Sequence, residues 1–189
     1  PSDLKQLKAP TWIDPDRNGA PTLMLFSVVD DRSGVVYQEY ALVYGEDAEA
    51  ALRFLFRAMA PKEDNPFGGI PENIQLDGGP VGKSSVFKRV MECLGITVTP
   101  HMPAGSDGRR TTARAKGKVE RPFRTVKEAH ETLYHFHEPT SEEEANRWLA
   151  RYIATYNGGD HRREPHSRID DWLGHLPDGG IRAMCGWER

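Results

Sequence analysis

The period of hydrophobic positions changes several times along this chain, and each change predicts an element. Residues 21–31, PTLMLFSVVDD, form an apolar, β-rich run, and 35–45, VVYQEYALVYG, form a second. Arg32-Ser33-Gly34 between them has the composition of a turn, so the two runs predict an antiparallel hairpin. EDAEAALRFLFRAMA (46–60) is built from strong helix formers, with Glu46 and Asp47 placed to favour its positive end. PKEDNPFGG reads as a loop. NIQLD (73–77) predicts a short buried strand that stops at two glycines. SSVFKRVMECLG predicts a helix with Val86, Phe87, Val90, Met91 and Leu94 on one face and Gly95 as its stop. ITVTP (96–100) predicts another strand, and HMPAGSDGRRTTARAKG after it is polar and irregular.

Two further helices follow. Pro122 fits only the first turn of a helix, where its missing N–H costs little. A long helix is therefore expected to open near Glu120, with Phe123, Val126, His130, Leu133 and Tyr134 at helical spacing. Ser141 with Glu144 three residues on predicts a capping box. The helix behind it carries a stripe of Trp148, Leu149, Tyr152, Ile153 and Tyr156. From Asn157 onward the pattern is mixed, with Trp172 and Trp187 as candidate anchors. No internal repeat is visible. Hairpin, helix, strand, helix, strand, long helix is an α/β order around a mixed sheet.

Composition changes little: 189 residues, 38% hydrophobic and 28% charged, match an ordinary globular chain. The longest apolar run, TLMLFSVV, is too short to span a membrane, and no secretory segment opens the chain. Cys93 and Cys185 form neither a disulfide framework nor a metal spacing, so a reducing, cytoplasmic setting is expected. A start at Pro1 reads as a piece excised from a longer protein. Charge does change the picture. Residues 101–127 hold eight basic residues and two acids, Asp107 and Glu120, a net +6; the remainder holds 17 basic and 26 acidic, a net −9. A basic segment on an acidic body is suited to a polyanion, or is simply a solvated loop.

Asp77 stands at a strand end, where crevices of α/β sheets bind ligands, and Gly78-Gly79 let a ligand approach the backbone. Alone, Asp-Gly-Gly reads as a turn, and Glu120 as a surface helix residue among cations.

Together these stretches resemble the catalytic core of the DDE transposases and integrases. LDGG after a strand, a following helix, ITVTPHMPA and ARAKGKVERPFRTVK carry the resemblance. PTLMLFSVVDDRSG behind Gly19-Ala20-Pro21 is similar to that family's second strand and turn. WLARYIATYNGGDHRREPHSR is similar to the stretch after the catalytic helix of bacterial transposases, with Tyr156-Asn157 and a later His. The likeness covers roughly residues 20–170. It departs in LDGG, where Asp-Asn-Gly is more frequent. It also departs in the 43 residues from Asp77 to Glu120, longer than in retroviral members, with the excess in HMPAGSDGRRTTARA.

The resemblance implies an RNase H-like mixed sheet flanked by helices over residues 1–160, with 161–189 an extension. It implies that Asp77 and Glu120 are the second and third acids of a triad holding two Mg²⁺ (or Mn²⁺) ions about 3.5–4 Å apart. The first acid is Asp3, Asp14, Asp16 or a residue upstream. Asp3 fits the spacing to the Gly-x-Pro, while Asp14 and Asp16 lie in the turn-like IDPDRNG. The expected partner is DNA, both element ends and target, with Arg109, Arg110, Arg114, Lys116, Lys118, Arg121 and Arg124 on phosphates, in a homo-oligomer at the bacterial nucleoid. The activity implied is DNA cleavage and strand transfer. The alternatives are an RNase H-like nuclease without strand transfer and an inactive DNA-binding remnant.

Overall fold

A computed structural model describes residues 21–44, 48–63, 65–76, 79–100, 121–160 and 165–184. Strands β1 (Thr22–Val29) and β2 (Val36–Val43) pair antiparallel, with Thr22 opposite Val43 and Val29 opposite Val36. Their turn is fixed from within. The Asp30 carboxylate accepts from the Ser33 N–H and hydroxyl, both at 2.7 Å, and Gly34 supplies φ +71°. Helix α1 (Ala48–Met59) follows, then β3 (Asn73–Leu76), a turn of helix α2 (Pro80–Lys83), α3 (Ser85–Cys93) and β4 (Thr97–Pro100). Strands β3 and β4 pair parallel, and among the described residues the two strand pairs are not joined into one sheet.

Strand alternation divides the core. Leu23 and Leu25 of β1 face one side with Val36 and Tyr40 of β2; Met24 and Phe26 face the other with Val43. The second side packs on Phe54, Leu55 and Met59 of α1, Ile74 of β3, Phe87 and Met91 of α3, and Ile96. The first packs on Phe123 and Val126 of a helical segment, α4 (121–135), and on Ala145, Leu149 and Ile153 of helix α5 (Glu142–Gly158). Each large apolar side chain so buried contributes about 1.5–3 kcal/mol. The hairpin is thus the middle layer, with a helical layer on each face. The expected apolar face of α3 is narrower than its spacing suggests. Phe87 and Met91 are buried, whereas Val86 is 61% exposed, because it falls at the edge of the stripe. Gly95 ends α3 at φ +65°, as its position predicts.

Segment α4 (121–135) is one continuous helical stretch in three geometries. Residues 121–125 are α, Val126–His130 form a π turn and Glu131–His135 a 3-10 turn. A uniform long helix was expected here. The unwinding turns Leu133 outward, to 52% exposure, although helical spacing places it with the core residues. Helix α5 (Glu142–Gly158) opens as predicted at Ser141, whose hydroxyl accepts from the Glu144 N–H at 3.1 Å. The reciprocal half of the capping box is shifted one residue: Glu144 accepts from the N–H and hydroxyl of Thr140 instead.

Helix α6 (Arg168–Gly174) carries its own capping box between Ser167 and Asp170. Trp172 is the anchor the sequence suggested, its ring 5.0 Å from that of Phe67. Trp187 lies outside the described residues. Beyond α6, the Ile70 N–H donates to the Arg182 carbonyl at 2.7 Å, which ties residues 181–184 across the loop after α1.

Candidate active site and nucleic-acid interface

Helix α4 is positioned by its inner face and by β2 beneath it. Phe123, Val126 and His130 are buried, and the Tyr152 hydroxyl of α5 donates to the Thr125 carbonyl at 3.4 Å. The opposite face carries Arg121, Arg124 and Lys127, all exposed. Arg124 donates from Nε to Glu128 at 2.7 Å, one helical turn on, and this bond with the carboxylate charge holds its guanidinium protonated. Exposed pairs of this kind are weak, so a phosphate can take the guanidinium from Glu128 at little cost.

Leu76, the last residue of β3, directly precedes Asp77, and Arg121, the first described residue of α4, directly follows Glu120. Asp77 and Glu120 themselves lie outside the described residues. So do Asp3, Asp14, Asp16, Arg109, Arg110, Arg114, Lys116 and Lys118. Of the expected DNA-contacting residues, the structure therefore places Arg121 and Arg124, and puts both on the outer face of α4. Among the described residues, no three His, Cys, Asp or Glu side chains stand together as a metal site. No described helix is long and apolar enough to cross a membrane. The donor chemistry of the expected acids, hard carboxylate oxygens throughout, suits Mg²⁺ and Mn²⁺.

Helix α5 grips the outer edge of β2 with side chains. The Val36 N–H donates to Asn157 Oδ1 at 3.0 Å, and Asn157 Nδ2 donates to the Val36 carbonyl at 2.8 Å. Asn146 repeats the motif on Tyr40, at 2.7 and 2.8 Å. The Leu42 N–H donates to Glu142 at 2.8 Å. Val36, Tyr40 and Leu42 alternate along β2 and turn these groups away from β1. A bare strand edge would invite another chain; here a helix occupies it. Sequence reasoning missed this clamp. The signal was available, since Asn146, Leu149, Ile153 and Asn157 share one helix face, and an Asn on a buried face needs a partner. Tyr156-Asn157, noted above only as a resemblance, owes its buried member to this edge.

Polar groups also meet beneath the irregular half of α4. The His130 ring, 1% exposed, is stacked on Tyr40 at 6.1 Å and packs on Tyr134 and Tyr152. Burial draws its pKa down to about 4, so it is neutral at pH 7. Burial pushes Glu131 up to about 7, with Lys127 opposing. It pushes Tyr134 up to about 12 and Tyr40 far higher.

No family model matches the chain, and no curated protein does. Solved structures do match. A chain of the simian T-cell lymphotropic virus intasome in complex with PP2A regulatory subunit B56 gamma superposes with a TM-score of 0.62 at 21% identity, over 88% of this chain. This chain spans about half the length of that one, 53%. The catalytic core domain of BIV integrase matches at TM-score 0.55 and 18% identity, over 80% of this chain and 86% of its own. The catalytic core domain of HTLV-2 integrase in complex with magnesium, a trimeric form, matches at 0.55 and 16%, over 84% and 89%. The chain thus shares the mixed α/β fold of retroviral integrase catalytic cores.

Proposed function

We propose that this chain is the catalytic domain of a DDE-type transposase or integrase, with an RNase H-like sheet, that cleaves DNA and joins its 3′ ends to target DNA. The observation that carries the reading is a coincidence of two independent lines. The fold is that of integrase cores, and in sequence the acids that the motifs single out adjoin described elements: Asp77 follows Leu76, the last residue of β3, and Glu120 precedes Arg121, the first described residue of α4. Asp3, Asp77 and Glu120 are assigned to hold two divalent cations. Bound there, such ions activate the attacking oxygen and stabilise the leaving one. Arg109, Arg110, Arg114, Lys116, Lys118, Arg121 and Arg124 hold phosphates on either side of Glu120, which stays a bare carboxylate among them. The neighbouring magnesium complex and trimer support the cation and a homo-oligomer on DNA in the same way, as likeness. A bacterial insertion element remains the assigned source, on the sequence resemblance.

The test uses the full-length protein with Mg²⁺ or Mn²⁺, a labelled duplex bearing free 3′-hydroxyls and a supercoiled plasmid. Labelled duplex joined to plasmid is the expected product. Asp77→Asn and Glu120→Gln each abolish it with unchanged melting. Near-normal joining by either variant overturns the assignment. Nicked plasmid without joined product identifies a nuclease, and DNA binding with neither product identifies an inactive remnant.

A further inference from the structure

The irregular half of α4 encloses groups that DNA chemistry does not use. Tyr40 of β2 is wholly buried, and its hydroxyl makes no well-formed hydrogen bond although it is close enough to Tyr134 and Glu131 to be influenced by both. Glu131 Oε1 is also buried without a hydrogen-bond partner. The Tyr134 hydroxyl is 3.3 Å from His130 Nε2. From α5, Tyr152 faces His130; from α4 itself, Lys127 acts on Glu131. A buried carboxylate without donors is costly. A carboxylic acid costs far less to bury, and its O–H can donate to a phenol oxygen while its other oxygen accepts.

We infer that Glu131 is a proton-operated latch on the second half of α4. As the neutral acid it stays among Tyr40, His130 and Tyr134 and holds residues 131–135 against β2. As the carboxylate it turns to solvent and frees that turn. Burial supports this by moving its titration up to about 7. The turn is suited to release. A 3-10 turn has poorer hydrogen-bond geometry than an α-helix, and Leu133 and Phe136 beside it are already exposed.

The sign follows from linkage. An acid whose folded pKa lies above its ordinary 4.5 contributes stability below 4.5 and loses it as pH rises through about 7. Amide hydrogen exchange on the whole chain, corrected for intrinsic rates, reads the latch directly. Between pH 5.5 and 8.5, protection of residues 131–136 is expected to fall roughly tenfold or more in the parent chain. It should stay flat in Glu131→Gln. Carbon NMR of the Glu131 carboxyl gives a second reading that does not depend on the variant folding. A midpoint near 7 supports the latch. A midpoint in the ordinary range near 4.5, or parallel exchange profiles in parent and variant, overturns it.

Discussion

Asn157→Ala is the sharpest test of how the central hairpin is held. The side chain is 2% exposed and Val36, its partner, is fully buried. Truncation leaves the Val36 N–H and C=O facing away from β1 with nothing to bond. Each buried, unsatisfied backbone group costs about 1–3 kcal/mol, so the pair costs roughly 2–6 kcal/mol. For a chain of 189 residues that lowers Tm by roughly 5–15 °C. Urea unfolding followed by tryptophan fluorescence should show a lower midpoint at unchanged slope. Asn157→Asp refines the test. Its carboxylate can accept from Val36 N–H but sets an oxygen against the Val36 carbonyl. The neutral acid restores the donor. The variant's folded pKa is therefore raised above the ordinary ~3.9. Its deficit relative to the parent should shrink as pH falls through that folded pKa and be least below ~3.9. Asn146→Ala is the control. Its bonds to Tyr40 are only partly buried, so water replaces them and the loss is about 1–2 kcal/mol. A loss under about 1 kcal/mol in Asn157→Ala, or an equal loss in both variants, refutes the argument.

Neutralising Arg109, Arg110 and Arg114 together should weaken binding to all DNA sequences alike and flatten the plot of log affinity against log salt by up to ~0.9 per lost contact; an unchanged slope means a solvated loop. Burial lowers His130 from 6.5 to about 4, so its contribution, at most ~3 kcal/mol, is present above 6.5 and lost as pH falls through about 4. Glu131 acts in the opposite sense between 4.5 and about 7, so Glu131→Gln should unmask a rise in stability from pH 4 to 6.5 that is blunted in the parent; identical urea midpoints across that range would contradict it. Gly69→Ala should cost about 1–2 kcal/mol, since φ is +90° there, and should displace Ile181, whose Cγ2 stands where the new Cβ would sit. Faster exchange at the Ile70 amide, which bonds the Arg182 carbonyl, is the readout, and unchanged protection refutes it.

The sequence was most legible where one signal acts alone. Apolar, β-rich runs on either side of Arg32-Ser33-Gly34 found both strands of the hairpin, and Ser141 and Gly95 marked helix ends through local backbone chemistry. It was least legible where a contact is long-range and directional. Nothing near Asn157 announces Val36, 121 residues away. Spacing placed Leu133 in a stripe with Val126 and His130, but spacing assumes one constant pitch. The π turn at Val126–His130 breaks that pitch, and Leu133 rotates out. At the candidate site, the sequence singled out acids by their company. Of that company the structure places Arg121 and Arg124, on the face of α4 opposite the core.

The polar contacts between α4, α5 and β2 answer a mechanical need of the proposed chemistry. Apolar packing alone lets a helix slide or turn by a residue at modest cost, because dispersion is not directional. A misplacement of about 1 Å at a reacting group can lower a rate on the order of a hundredfold. Hydrogen bonds have direction and reach, so they fix register where apolar contact does not. Asn146 and Asn157 span three turns of α5 and seize two residues of one strand, which leaves α5 one register on β2. Tyr152 then ties α5 to Thr125, near the head of α4, and the stacked pair of His130 and Tyr40 ties α4 to the same strand. The head of α4, where Glu120 precedes Arg121, is thereby referred to β2 through two separate routes, one of hydrogen bonds through α5 and one of stacked rings. Breaking the route through Asn157 should lower stability first, and joining activity only as α4 loses its place.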